Sequence, residues 1–259
     1  MTLNSVQIKE LEQVLTCALR HKFSNYKPEP NHMPFHTSLL GKDKMALFSF
    51  IHSLNTNFGS SIFEPIAKVL AQTKFADVQT QISMPNKISE QAQRVIQNIM
   101  DDLTSANVKP NKLAEINAIR SVCTAGTMRT IKTTKVDIFL YSFADGYYLI
   151  DLKTAKPNKG GFKEYKRTML EWTAVMLAQN PCANVHTLIA IPYNPYAPKP
   201  YSRWTMAGML DLPYELKVAD EFWDFLAGAN IYNDLLDIFA KVGKTLRPEI
   251  DAYFKKYLT

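Results

Sequence analysis

Three charged residues stand inside apolar runs where charge is costly. They are Asp137, Asp151 and Lys153, in the stretch TKVDIFLYSFADGYYLIDLK from Thr134 to Lys153. Strand interiors disfavour Asp and Lys, and burying a charge without a partner is expensive. Such groups either face solvent or make a site. Two carboxylates a few ångströms apart supply the hard oxygen ligands that Mg²⁺ takes, and the ion keeps several waters and accepts phosphate oxygens. A bound water becomes more acidic there, and charge developing on a phosphoryl group is neutralised. The ammonium can orient that water or stabilise the pentacovalent phosphate.

Ala144-Asp145-Gly146 separates the two runs and decides whether the three charges meet. A two-residue Asp-Gly loop would pair Asp137 with Thr154 and set it on the opposite face from Asp151. A three-residue loop, a type I turn followed by Gly146 in the left-handed conformation, fits equally well. It pairs Phe143 with Tyr147, Tyr141 with Leu149, Phe139 with Asp151 and Asp137 with Lys153. Directly opposed residues share a face, as do residues two apart on one strand. The three-residue loop is the expectation because it gives the cleaner apolar face. Val136, Ile138, Leu140, Ile150 and Leu152 then form that face, and Asp137, Asp151 and Lys153 converge on the other.

The elements that must position this hairpin are legible on either side of it. A helix over 5–22, capped by Ser5, carries Val6, Leu11, Val14, Leu15, Ala18 and Leu19 as its stripe. Pro28, Pro30 and Pro34 predict an extended connection over 24–40, then a helix over 43–55 broken near Gly59. The helix SSIFEPIAKVLAQ follows, with Glu64 in or near its first turn. Glu64 either complements the helix dipole or a capping arrangement, or reaches a metal site from a helix packed on the sheet. A strand is expected over 75–82, a helix over 89–103, and a short helix over 111–120 whose Glu115 is a second acidic candidate for the site or, as the preferred reading, a solvated surface residue. After the hairpin come a loop, a helix over 163–179, a strand over 185–191 and the Pro/Tyr-rich loop 192–204. The C-terminal part predicts a strand at 214–218 and helices over 219–227, 230–242 and 247–258, the last opened by Pro248. Trp172 and Trp223 are expected in the core.

Composition sets the class. The 259 residues are 46% hydrophobic and 21% charged, as in an ordinary soluble globule, and their number suits one domain. We expect a single domain over 1–259, with an N-terminal helical part about 1–58, a catalytic core about 59–192 and a C-terminal helical part about 205–259. The net charge of +6 favours an anionic partner. From Arg129 to Arg167 there are nine Lys/Arg against four acids, so most of the excess surrounds the hairpin. Lys156, Asn158, Lys159, Lys163 and Arg167 lie beyond the Asp-x-Lys strand, where basic groups and a helix start suit phosphate. Arg203 lies in the aromatic, basic loop, a composition that can clamp nucleic acid. Three scattered cysteines argue against a disulfide framework or zinc site and fit a reducing cytoplasm. No signal architecture and no membrane-length apolar run is present. His32 and His36 have metal-like spacing, but Pro34 lies between them. No H-E-x-x-H, Walker loop, G-x-G-x-x-G or G-x-S-x-G occurs.

Asp, thirteen residues, then Asp-x-Lys is the pattern of the PD-(D/E)xK nucleases, and here it falls on a predicted hairpin. The segment VDIFLYSFADGYYLIDLKTAKPN and the helix after it resemble type II restriction endonucleases of that superfamily. DLKTAKPN (151–158), the IPYNPY loop and EFWDFL (221–226) are similar to the MjaII/TdeIII group. The resemblance implies a restriction-endonuclease-like α/β core, a central mixed β-sheet flanked by helices, with additional N- and C-terminal helices. It implies a Mg²⁺-dependent homodimer cutting double-stranded DNA at a short palindromic site, GGNCC-like for that group. Asp137 matches the first acid, Asp151 the second, Lys153 the lysine, and Glu64 the helical acid. Asp137 and Asp151 would hold Mg²⁺ with the carbonyl of Leu152. Val136 replaces the proline before the first acid, which removes part of the signature. Two other readings fit the residues: a structure-specific or repair nuclease of the same fold, and a non-catalytic DNA-binding protein.

Overall fold

The computed structural model describes residues 3–27, 33–153, 161–202 and 204–256. Helices α1 (Ser5–Asn25), α2 (Pro34–Leu40), α3 (Lys42–Phe58) and α4 (Glu64–Ala71) come first, with a π-helical turn at Gly59–Phe63 before α4. Strands β1 (Asp77–Ile82) and β2 (Lys87–Ser89), helices α5 (Glu90–Thr104) and α6 (Lys112–Arg120), and strand β3 (Met128–Thr130) follow. The hairpin strands are β4 (Val136–Ser142) and β5 (Gly146–Leu152). Then come α7 (Gly161–Gln179), β6 (Val185–Ile191), α8 (Trp204–Ala207) and α9 (Leu212–Glu215). Strand β7 (Leu216–Val218), α10 (Asp220–Ala227) and α11 (Tyr232–Lys255) complete the order. The chain divides into two compact units, residues 1–69 with 229–259 and residues 70–228.

The first unit is helical and corrects several expectations. Asn4, not Ser5, caps α1: its side chain accepts from the N–H groups of Val6 and Gln7, and the Gln7 side chain accepts from the Asn4 N–H. That capping box satisfies donors that Ser5 would have left open. Val6 is exposed, so the buried stripe begins at Leu11. Pro34 opens α2 at the first helical position, where its missing N–H has no partner to lose. The α-helical run does end near Gly59, as expected: α3 stops at Phe58 with Gly59 as its C-cap, and a π-helical turn leads on into α4. Pro248 lies inside α11 rather than at the start of a new helix. Leu235, Ile238, Val242, Leu246 and Tyr253 stay buried along α11, which packs on α1. Continuous burial on both sides of Pro248 outweighs the lost helical hydrogen bond.

The second unit is built on a five-stranded mixed sheet in the order β1-β4-β5-β6-β7, with β2 and β3 paired separately. β1, β4 and β5 run antiparallel, while β5, β6 and β7 are parallel. Helix α7 makes the crossover from β5 to β6 and buries Trp172 together with Met169, Leu170, Val175 and Leu177. Trp223 is buried as well, and its indole N–H donates to the Pro192 carbonyl at 2.8 Å.

The hairpin has the expected faces in a different register. Ser142 pairs with Gly146, Tyr141 with Tyr147, Phe139 with Leu149 and Ile138 with Ile150. The loop is therefore Phe143-Ala144-Asp145, two residues out of the predicted pairing. Ser142 organises it, because its hydroxyl donates to the Asp145 carboxylate and accepts from the Asp145 N–H. Gly146 has φ +90° and sits against the Asn184 backbone, where an added Cβ would lie 2.4 Å from the carbonyl oxygen. A shift of two preserves side-chain parity. Val136, Ile138, Leu140 and Ile150 are accordingly fully buried on one face, with Leu152 half-buried.

Candidate active site

Asp137 and Asp151 share the other face of the hairpin. Continuing the observed register would set them opposite one another, and at that point side-chain hydrogen bonding takes over from the ladder. Asp137 Oδ2 accepts the Leu152 N–H at 2.8 Å, and its Oδ1 accepts Nε2 of Gln81, from β1, at 3.0 Å. Asp151 is buried, and its Oδ1 lies 2.7 Å from Lys153 Nζ. Asp137 thus faces Asp151 rather than Lys153, the pair the predicted register would have made.

Electrostatics follow from this crowding. Burial pushes the Asp151 carboxyl up to about 6; Lys153 pulls it down and Asp137 pushes it further up. For Lys153, burial disfavours the ammonium, but Asp151, Asp137 and Tyr165 outweigh it, and its pKa rises above the ordinary lysine value. The ammonium also lies 4.6 Å from the centre of the Tyr165 ring. Its backbone N–H is tied to the Ala190 carbonyl of the neighbouring parallel strand at 2.9 Å. Two side chains that sequence reasoning missed therefore touch the site, Gln81 and Tyr165. Neither carries a sequence signal, because each reaches the hairpin only through tertiary packing.

The remaining sequence candidates sit on other elements. Glu64 is the first residue of α4 and is buried, in the unit that does not contain the hairpin. Glu115 is not solvated: it is buried on α6, and its Oε2 lies 2.5 Å from Lys166 Nζ. Lys166 also reaches Glu215 at 2.7 Å, and Lys112 pairs with Glu215 at 3.0 Å and with the Thr187 hydroxyl at 2.5 Å. Two lysines and two glutamates thus form a buried, neutral set joining α6, α7, α9 and β6. Burial pushes Glu215 up, but the two ammonium groups outweigh it and hold its carboxyl below the usual range. Lys163 is exposed on α7. Arg167 donates to the Gln97 side chain at 2.8 Å and lines a polar groove with Glu90, Gln93, Arg94 and Arg129. Lys156, Asn158, Lys159 and Arg203 lie outside the described residues.

A polar, basic surface and a carboxylate pair beside an ammonium have the chemistry for acting on a phosphodiester. Among the described residues no group of three or more His, Cys, Asp or Glu is gathered for a metal; the hairpin offers two carboxylates. No helix among the described residues is long and apolar enough to cross a membrane.

Similarity to known proteins points the same way. The family described as "Type II restriction endonuclease, HinfI" matches residues 3–243. The type II restriction enzyme MjaII of Methanocaldococcus jannaschii is 27% identical, across 94% of this chain and 72% of its own length. HgiCII of Herpetosiphon aurantiacus, also a type II restriction enzyme, is 26% identical across 84% of this chain and 80% of its own. HgiEI from the same organism is 24% identical, with 84% and 79% covered.

Proposed function

The chain belongs to the HinfI family of type II restriction endonucleases, and from that premise we propose that it is a Mg²⁺-dependent homodimer cutting double-stranded DNA at a short palindromic site. Its activity is site-specific hydrolysis of DNA. The observation that carries the finer reading is the meeting of Asp137, Asp151 and Lys153 at one end of β4 and β5.

The donor set fits a hard divalent cation. A buried carboxyl whose charge is disfavoured by burial and by a neighbouring acid is relieved by a positive ion. Asp137, Asp151 and the carbonyl oxygen of Leu152 would hold it. When bound, Mg²⁺ makes a coordinated water more acidic and neutralises charge on the phosphate. Lys153 keeps its proton, since its pKa is raised, and so acts as a donor rather than a base. Asp151 and the Tyr165 ring hold that ammonium in place to orient the water or stabilise a phosphate oxygen. Hydrolysis leaves a 5′-phosphate. Each chain carries one such set, so cutting both strands of a palindrome calls for two copies related by a twofold axis. Lys163 and Arg167, with Lys156, Asn158, Lys159 and Arg203, are proposed to contact the DNA backbone.

Digestion of a plasmid of known sequence with Mg²⁺, followed by mapping of the ends, tests the reading, with GGNCC-like sites examined first. Asp151→Ala and Lys153→Ala should abolish cleavage while DNA binding persists. Mg²⁺-dependent cutting by either variant at the wild-type rate would remove the assignment.

A further inference from the structure

Gln81 stands out on backbone geometry before its side chain is considered. β1 pairs with β4 so that Thr80 lies opposite Ile138 and Ile82 opposite Val136. That register brings Gln81 level with Asp137 and passes over the two of them. Gln81 has φ +55°, in the left-handed region that side chains other than those of Gly, Asn and Asp seldom enter. No reversal of the chain requires it, because the strand continues and remains paired on both sides.

The unusual backbone coincides with a side-chain contact at the carboxylate pair. The amide Nε2 of Gln81 donates to Asp137 Oδ1 at 3.0 Å, while the Leu152 N–H donates to Oδ2 at 2.8 Å. The Asp137 carboxylate is therefore fixed from two neighbouring strands, β1 on one side and β5 on the other, with one donor to each oxygen. A neutral amide suits this purpose. It sets the rotation of the carboxylate without cancelling its charge, as an ammonium or guanidinium in the same place would. Strained backbone persists where the surroundings over-determine it, and such positions cluster at functional sites.

We propose that Gln81 is a positioning residue for Asp137, turning its carboxylate so that it and Asp151 share one divalent cation. The proposal rests on the nuclease reading above and adds to it a residue outside the Asp/Asp-x-Lys pattern. Groups that orient metal ligands through hydrogen bonds typically change metal affinity or activity by about 10- to 100-fold when removed.

Two variants separate the side chain from the backbone. Gln81→Gly removes the amide and releases the backbone strain, while Gln81→Ala removes the amide and keeps the strain. Titration calorimetry with Mg²⁺ alone, without DNA, reads the site directly, and thermal melting reads the fold. Both variants should bind the ion about 10-fold or more weakly than wild type, with Gln81→Gly melting no lower than wild type. In cleavage assays kcat should fall while KM for DNA changes little. Gln81→Gly binding Mg²⁺ as tightly as wild type would overturn the proposal. So would a large drop in its melting temperature, which would make the role structural. Wild type and Asp151→Asn are run alongside. If wild type shows no saturable site that Asp151→Asn removes, the metal reading itself is wrong and the positioning role falls with it.

Discussion

The Asp151 carboxylate is held where the fold alone would not choose to put a charge. Its pKa is raised from 3.8 to about 6, chiefly by burial, with Asp137 adding to the rise. An acid with a raised folded pKa favours folding in its protonated form. That contribution is complete below the ordinary value of 3.8 and is lost as pH rises through about 6. At neutral pH the ionised side chain is therefore a local liability in the metal-free protein, as expected of a group kept for function. Asp151→Asn cannot ionise, so it should raise the melting temperature of the metal-free protein at about pH 7.5 and confer little at about pH 4. The gain has an upper limit of roughly 3 kcal/mol, reduced because Lys153 loses its partner. Melting curves of both proteins across this range, in chelator, check it; a difference that does not vary with pH would contradict the account. The types and spacing of Asp137, Asp151 and Lys153 were enough to bring them forward from sequence. Gln81 and Tyr165 were not visible in that way, since one depends on a backbone angle and the other on how a helix lies over a strand.

At the scale of elements, hairpin parity was legible and hairpin register was not. Alternation of apolar and charged residues determines which side chains share a face, and a shift of two residues leaves that unchanged. Which residues form the turn depends on Ser142 bonding to Asp145 and on Asn184 packing against Gly146, a contact from 38 positions further along the chain. The helix boundaries at Pro34 and Pro248 depart from expectation for a related reason, because packing overrides a local breaker, whereas the boundary at Gly59 stands. Glu115 and Lys166 were hidden more deeply: each looks like a surface charge in its own helix and becomes buried only when α6 and α7 meet across Glu215. Helix α7 is the element that this buried set fixes, and it also carries Tyr165 to Lys153. Lys166→Met would leave Glu115 and Glu215 short of a cation in the interior. Breaking one partner of a buried pair typically costs about 3–5 kcal/mol, measurable as a lower midpoint in urea unfolding. A loss below about 1 kcal/mol would mean that α7 is held by its apolar face alone.

For the whole molecule the question is where its net charge of +6 meets DNA. Charge counts along the chain point to the region around the hairpin, and the fold adds a surface that the counts do not reveal. Arg94 of α5, Arg129 of β3 and Arg167 of α7 line one groove together with Gln93, Gln97 and Glu90. Glu90 pairs with Arg94 at 2.7 Å and Arg129 at 3.2 Å, while Arg167 bonds Gln97, so the groove carries one carboxylate to three guanidinium groups and stays positive. Side-chain exposures of 65% for Arg94 and 54% for Arg129 leave both accessible to a phosphate. Each neutralised phosphate releases counterions and adds about 0.9 to the slope of log affinity against log salt. If Arg94 and Arg129 each contact one, the double variant Arg94→Ala/Arg129→Ala should lower that slope by about 2. Arg20→Ala is the matched control: it removes an exposed arginine paired with Glu249 in the other unit and should leave the slope unchanged. Binding isotherms on cognate duplex with Ca²⁺ in place of Mg²⁺, over a range of salt, provide the measurement. An equal loss of slope in the control and the groove variant would mean that the charge acts as a diffuse field. A wild-type affinity indifferent to salt would remove the backbone contacts altogether.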